Sequence, residues 1–279
     1  MTGTGGPAHV TAPVAALADQ LPAWVVLVRA DNPGPMTLEG TNTWVLTTPE
    51  GAAAVVDPGP DDPDHLAAVA RPGTVSLILL THGHPDHRDG AARLAGSTGA
   101  NVHSIDPAKC HGPDAWPLEP GLVLDWGGFD ISVLATPGHT ADSVCFLAER
   151  DGEGVILTGD TILGRGTAVV AWPDGDLGDY LASLELLTAY QDVAALPGHG
   201  PALADCAAAA RFYLAHRRAR LEQVRSMVAA GVTAPAEVVE RVYAEVDRSL
   251  WPAAERSVSA QLAYLERESD PGAGGLDRP

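Results

Sequence analysis

The chain has 279 residues, 46% of them hydrophobic, which suffices for one large domain with a buried core and a second, small one. Its formal net charge of −19 argues against nucleic-acid binding through the protein surface, because acidic surfaces repel phosphate, and we expect no DNA partner. Three widely spaced cysteines give no disulfide framework, and we find neither a signal peptide nor a membrane span, so we expect a cytoplasmic protein.

The first part of the chain predicts strands alternating with helices. The predicted strands are 23–29, 43–48, 52–57, 75–80, 101–104, 121–124, 129–135, 143–148 and 154–158. Helices are predicted at 61–70 and 89–97. Strands with interspersed helices favour a mixed sandwich in which helices cover two sheets.

Helical periodicity dominates the remainder. A helix at 176–190 precedes a last strand at 193–196, and further helices are predicted at 202–229, 233–246 and 257–268. We therefore predict a catalytic domain at 1–205, a helical domain at 206–270 and a disordered tail at 271–279.

The segment THGHPDH, directly after the strand at 75–80, is the most informative feature of the chain. Its H-x-H-x-D-H pattern puts four metal-binding side chains on the loop at the end of a buried strand. A structural role does not require three histidines and an aspartate in six positions, so the pattern predicts a metal site. Imidazole and carboxylate ligands suit zinc, and also iron or manganese. The four side chains are His82, His84, Asp86 and His87.

Three more donors, His139, Asp160 and His199, follow apolar runs and stand beside glycine. Seven donors are too many for one tetrahedral ion and suit two ions that share a water. Such a pair predicts a hydrolase in which a metal-bridging hydroxide attacks a carbonyl carbon or a phosphorus. Asp86 is the predicted catalytic residue, because it can orient that hydroxide.

These residues resemble the metallo-β-lactamase-fold hydrolases, with the motifs in the family's order from residue 57 to 199. The resemblance implies an α/β (α+β) protein with an αββα sandwich. It implies a first metal at His82, His84 and His139. It implies a second metal at Asp86, His87 and His199, with Asp160 bridging. It also implies that Asp57 is a buried aspartate that orients a metal-ligand loop by hydrogen bonding.

A narrower resemblance covers nearly the whole chain. Residues 32–44, NPGPMTLEGTNTW, and the segment from 196 onward, LPGHGP then YLAHRR, are similar to the lactamase-beta-like protein 2 subgroup. That resemblance implies a small helical, winged-helix-like C-terminal domain. The subgroup includes a mitochondrial endoribonuclease that acts on single-stranded RNA, and related proteins are thioesterases. Loop 32–44 could also place Met36 and Leu38 over the metal cleft as a lid.

We therefore expect a zinc-dependent hydrolase with two Zn²⁺ ions, iron or manganese also fitting the donors. It would cleave an ester-type bond, either in a small carboxylic ester or thioester or in single-stranded RNA. A single-iron persulfide dioxygenase is the alternative, and class B β-lactamase activity is less favoured because no export signal is found. Arginines at 211–225 form either an RNA-binding edge or a solvated, ion-paired helix, and we favour the second interpretation. The oligomeric state stays open.

Overall fold

The computed structural model describes residues 21–269, so the predicted tail at 271–279 lies outside the described residues. A first sheet has the strand order β1-β2-β3-β4-β5. Its strands are β1 (Val25–Arg29), β2 (Asn42–Thr47), β3 (Ala52–Val56), β4 (Thr74–Leu79) and β5 (Asn101–His103). The first three are antiparallel, whereas β4 runs parallel to both neighbours. Parallel neighbours need a crossover, and helices α1 (Pro63–Val69) and α3 (Ala91–Thr98) provide it.

A second sheet has the strand order β10-β9-β8-β7-β6. Its strands are β6 (Val123–Trp126), β7 (Phe129–Ala135), β8 (Val144–Arg150), β9 (Glu153–Gly159) and β10 (Ala194–Pro197). Strands β6 to β9 form an antiparallel meander, and β10 joins parallel to β9 after helix α4 (Leu177–Leu187). The meander needs only short turns, because antiparallel neighbours connect directly.

The two sheets pack face to face. Leu46 and Leu79 of the first sheet share one buried cluster with Ile131, Val133 and Phe146 of the second. The alternating side chains of a strand point to opposite faces, so β7 can bury one face in this cluster and turn the other outward. The prediction of two sheets flanked by helices is therefore confirmed, and the fold is of the α/β class.

Three helices make the C-terminal part: α5 (Cys206–Ala229), α6 (Pro235–Val242) and α7 (Trp251–Ser269). The predicted start of α5 at 202 is wrong, because Leu203 still pairs with Ala195 beside β10 and Asp205 then caps the helix at Ala208 N. The predicted start of α7 at 257 is also wrong. Pro252 lies in the first turn of that helix, where no backbone N–H is needed.

Tyr213 fastens α5 to the loop that follows β9. Its buried hydroxyl accepts from Leu163 N at 3.0 Å and donates to Leu163 O at 3.1 Å. We expect Tyr213→Phe to lower the free energy of unfolding by about 2 kcal/mol, since both Leu163 groups lose their buried partner. Urea unfolding followed by circular dichroism measures this. Tyr190→Phe is the matched control, because no described residue bonds the Tyr190 hydroxyl, and equal midpoints for both variants would contradict the prediction.

Within residues 21–269, no helix has the length and apolar character needed to cross a membrane.

Candidate metal centre

The seven predicted ligands lie together at one edge of the two sheets. His82 to His87 follow β4, His139 follows β7, Asp160 follows β9 and His199 follows β10. One element of the loop is absent from the sequence prediction: α2 (Pro85–Arg88), a single helical turn that carries Asp86 and His87. Proline at its first position has the backbone φ that a helix requires and no N–H to leave unpaired.

The first group of ligand atoms comprises three imidazoles and a carboxylate. His84 Nδ1 lies 3.0 Å from both His82 Nε2 and His139 Nε2, and Asp160 Oδ2 lies 3.6 Å from His139 Nε2. Two nitrogens bound to one tetrahedral zinc at its usual bond length would be ~3.3 Å apart. The four donors therefore surround a volume that one metal ion fits.

The second group comprises Asp86, His87 and His199. His199 Nε2 lies 3.2 Å from His87 Nε2 and 3.3 Å from Asp86 Oδ2. His87 Nε2 lies 3.6 Å from the same carboxylate oxygen. These three donors could hold a second ion.

Asp160 lies between the two groups. Its Oδ1 is 3.4 Å from His199 Nε2 and 3.5 Å from His87 Nε2, while Oδ2 faces His139. Oδ1 is buried and has no hydrogen-bond donor among residues 21–269. Burying an unpaired carboxylate oxygen is unfavourable, and a cation held by both groups would compensate it. The donor set therefore fits metal ions.

Hydrogen bonds on the outer side of the rings fix which nitrogen faces the centre. His139 Nδ1 donates to Val169 O at 2.5 Å, and His87 Nδ1 donates to Asp57 Oδ2 at 2.9 Å. Thr81 Oγ1 donates to Asp57 and accepts from His82 Nδ1 at 2.9 Å. Each of these three rings thus keeps an Nε2 lone pair for a metal.

Asp57 joins β3 to the ligand loop. Its Oδ1 accepts from Thr81 N at 2.8 Å, and its Oδ2 accepts from Thr81 Oγ1 at 2.6 Å and from His87 Nδ1. The Asp57 backbone is left-handed, with φ 53°, a conformation that aspartate tolerates better than most residues. These contacts are the kind that the predicted orienting role requires.

Gly198 lets the chain after β10 pass close to the ligands. A Cβ atom there would lie 2.5 Å from His87 Cε1 and 2.7 Å from Asp160 Oδ1. Any side chain would push these two ligands away, which explains the glycine that precedes His199.

Burial and charge divide the histidines into two kinds. Burial lowers the pKa of His82 well below its usual range, that of His84 to about 4, and that of His139 as well. These three imidazoles are neutral at pH 7 and can ligate directly. Burial alone would also lower the pKa of His87 and His199, but the surrounding carboxylates, chiefly Asp160, together raise the pKa of both, that of His199 to about 10. Protons on these two rings therefore compete with a cation.

A cavity of about 380 Å³ opens from the ligands toward the C-terminal helices. His139 and Asp160 line it, together with Met36 and Leu38 from loop 32–44. A smaller recess over both groups of ligands is also lined by Arg256, from α7. Sequence reasoning missed Arg256, since it follows the H-x-H-x-D-H motif by about 170 residues and stands in no motif of its own.

Comparison with known families explains this arrangement. The sequence profile of the Metallo-beta-lactamase superfamily matches residues 36–199, more than half of the chain. The chain belongs to the metallo-beta-lactamase superfamily. The profile of the Beta-lactamase associated winged helix domain matches residues 234–269, so the predicted winged-helix-like region is confirmed for that range. The chain is an enzyme of this superfamily.

Three curated relatives illustrate the similarity. The Beta-lactamase-like protein 2 homolog of Drosophila melanogaster is 31% identical over 89% of this chain and 90% of its own length. Thioesterase pkgB of Emericella nidulans is 34% identical over 76% of this chain. Atrochrysone carboxyl ACP thioesterase dmxR1 of Cryptosporiopsis sp. is 32% identical over 74%. The alignments span 61% and 63% of the two thioesterases. The predicted resemblance to the lactamase-beta-like protein 2 subgroup is confirmed.

Three crystal structures share the fold. A beta-lactamase domain protein from Burkholderia ambifaria covers 96% of this chain and 98% of its own, with TM-score 0.74 and 23% identity. A metallo-beta-lactamase family protein from Thermus thermophilus covers 88% and 94%, with TM-score 0.70 and 25% identity. ETHE1 from Myxococcus xanthus covers 67% and 83%, with TM-score 0.55 and 25% identity.

Proposed function

We propose that this enzyme is a dinuclear metallohydrolase that cleaves thioesters of extended acyl groups. The observation that carries the proposal is the cavity, because it begins at the ligands His139 and Asp160 and continues along apolar side chains. Leu163, Val246 and Leu250 are among them. Such a wall binds an acyl chain and keeps water away from it. Two relatives carry thioesterase names, which supports the same bond.

In the proposed site, His82, His84 and His139 hold one ion, and Asp86, His87 and His199 hold the other, with Asp160 between them. Zinc suits these nitrogen and oxygen donors, and iron or manganese would also fit them. Two bound ions supply a hydroxide nucleophile near neutral pH and a Lewis acid for the carbonyl oxygen.

The protein's own side chains position the reacting groups and exclude water from the acyl chain. Asp86 is the proposed catalytic residue: its side chain is 30% exposed, and its carboxylate can accept a hydrogen bond from the attacking hydroxide and so orient it. His199 and His87 beside it hold the Asp86 pKa at about 2 against the effect of burial, so the group is a carboxylate at neutral pH. Arg256 adds an exposed cation at the recess over the ligands.

Contacts of the arginine segment 211–225 favour a small substrate over RNA. Arg218 pairs with Glu185 at 2.6 Å, and Arg225 pairs with Glu268 at 2.8 Å. Charges already paired with carboxylates add little attraction for phosphate, so Arg218 and Arg225 agree with the predicted ion-paired helix, whereas Arg217 is buried and faces the protein interior. RNA cleavage therefore ranks below thioester hydrolysis in this proposal.

A substrate panel tests the proposal. It contains an octanoyl thioester, a single-stranded RNA oligomer and a chromogenic cephalosporin. We expect kcat/KM of about 10⁴ M⁻¹s⁻¹ or more for the thioester, at least about a hundredfold above the other two, and loss of turnover after chelation. Cleavage of the RNA without hydrolysis of the thioester would contradict it.

The likeness to the ETHE1 structure keeps the single-iron persulfide dioxygenase of the sequence analysis as the alternative function. Oxygen uptake with a glutathione persulfide substrate distinguishes the two, because hydrolysis consumes no oxygen.

Loop 32–44 supplies a prediction about substrate binding. Met36 is 50% exposed, Leu38 has φ 56°, and both line the cavity. We expect Met36→Ala combined with Leu38→Ala to raise KM for a long-chain thioester about tenfold, a loss of about 1.4 kcal/mol in apolar contact, with kcat little changed. Steady-state kinetics measures the effect.

Leu186→Ala is the control for this pair. Leu186 is 42% exposed on α4 and does not line the cavity, so its loss should leave KM unchanged. Equal KM values in the loop variant and the parent enzyme would contradict the prediction that loop 32–44 acts as a lid.

A further inference from the structure

Helix α5 contributes three basic side chains to the wall of the substrate cavity. His216, Arg217 and Arg220 line the same cavity as His139 and Asp160. Apolar side chains such as Leu163 and Leu250 also line it. The cavity therefore has the candidate metal ligands at one end, apolar side chains along its walls and a cluster of basic side chains.

The two guanidinium groups are held in place without a carboxylate. Arg217 is only 4% exposed, donates through Nη2 to Ala168 O, and lies 5.1 Å over the Tyr180 ring. Arg220 donates through Nη1 to Val242 O at 2.7 Å and lies 4.6 Å over the Tyr243 ring. The Nε atoms of both are buried and have no acceptor among residues 21–269.

His216 lies near both of these cations. Both of its ring nitrogens are buried and have no partner within the described part of the chain. Burial and the two arginines lower the pKa of His216 to about 4, so the ring is neutral and offers one donor and one acceptor. Buried nitrogen atoms without partners, here those of His216 and the Nε atoms of the two arginines, are unfavourable unless a ligand supplies the partners.

Besides Asp160 near the metal-ligand groups, two more carboxylates line the cavity, but they do not pair with the cluster. Glu245 and Asp247 are both exposed. Among the described residues, neither lies within 4.0 Å of a nitrogen of His216, Arg217 or Arg220 in an ion pair. The net charge of the buried part of this wall is therefore positive.

We propose that the His216–Arg217–Arg220 cluster binds a carboxylate at the end of the acyl chain remote from the thioester. This inference rests on the proposed function and narrows the substrate class to thioesters of dicarboxylic acids. Guanidinium groups match carboxylates in charge and planar geometry, and a neutral imidazole N–H adds a third donor. The apolar walls then hold the methylene chain, with the thioester at His139 and Asp160.

Equilibrium binding tests the cluster without relying on turnover. The metal-loaded full chain is titrated calorimetrically with octanoate and with dicarboxylates of six, eight and ten carbons. We expect the best dicarboxylate to bind at least about tenfold more tightly than octanoate. His216→Phe and Arg220→Gln should each reduce that preference about tenfold and leave octanoate affinity within about twofold, which also shows that the cavity is intact.

Arg218→Gln is the matched control, because Arg218 lies on the same helix, pairs with Glu185 and does not line the cavity. It should leave both affinities unchanged. Equal binding of octanoate and every dicarboxylate by the parent protein would overturn the proposal even if a variant did not fold. Survival of the preference in both His216→Phe and Arg220→Gln would overturn it as well.

Further experiments distinguish this inference from the proposed function, and a substrate carboxylate from a phosphate as the bound anion. Selective, His216-dependent binding of a dicarboxylate by a protein that hydrolyses no thioester would support the cluster and refute the thioesterase. Thioester hydrolysis without any dicarboxylate preference would support the thioesterase and refute the role of the cluster. His216-dependent binding of 4′-phosphopantetheine that displaces the dicarboxylate would assign the cluster to a carrier phosphate and overturn the acyl assignment.

Discussion

Replacing His139 by alanine is expected to lower kcat/KM for thioester hydrolysis by at least about 10³-fold, equal to about 4 kcal/mol of transition-state stabilisation. His139 is 4% exposed, its Nδ1 is committed to Val169 O, and its Nε2 lies 3.0 Å from His84 Nδ1. No described side chain replaces that nitrogen, so the first group loses a ligand. Initial rates and metal content per chain measure the effect.

His111→Ala is the control for this substitution. The His111 side chain is exposed, and its pairing with Val102 uses only backbone atoms, so alanine leaves the sheet edge intact. We expect parental rates and metal content. If His139→Ala kept both its rate and its metal content, the metal-ligand role of His139 would be refuted.

Asp57→Asn is expected to lower metal affinity and kcat/KM by about 10- to 100-fold. Asparagine keeps the size of Asp57 and tolerates φ 53°, so the backbone is unchanged. Its amide NH₂ cannot accept, however, and Asp57 accepts from His87 Nδ1, Thr81 Oγ1 and Thr81 N. At least one of these donors loses its acceptor, and His87 loses its negative partner. Competition with a chromogenic chelator measures the affinity.

Asp62→Asn is the matched control for Asp57→Asn. Asp62 also accepts from two backbone N–H groups, those of Asp64 and His65, but it caps α1 and takes no part in the ligand groups. Asparagine caps helices about as well as aspartate, so metal affinity should stay at the parental value. Identical affinities in the two variants would show that Asp57 does not orient His87.

Local patterns made the grouping of the seven candidate ligands predictable. Four of them lie within six positions directly after an apolar run: His82, His84, Asp86 and His87. The loop that follows a strand lies at an edge of the sheet, whatever the position of that strand within the sheet. Gly-His139 and Gly-His199 repeat the same arrangement of strand, tight turn and ligand. Strand alternation likewise predicted β7 without knowledge of its neighbours.

Long-range contacts account for what could not be predicted. Asp57 before Pro58 and Gly59 resembles an ordinary turn, and only the resemblance to a family suggested more; its partners lie 24 and 30 positions away. The cavity wall combines loop 32–44 with Arg220 and Leu250, which periodicity cannot bring together. Helix α7 begins at Trp251, six residues before the predicted start, and its first turn contains Pro252, a residue that local pattern alone does not place inside a helix.

Metal content measured on protein purified without added metal, together with thioester hydrolysis by the same sample, tests the proposed dinuclear hydrolase directly. We predict about two zinc ions per chain and hydrolysis that disappears on chelation and returns when zinc is restored. About one iron ion per chain, with no thioester hydrolysis, would contradict it and favour the dioxygenase.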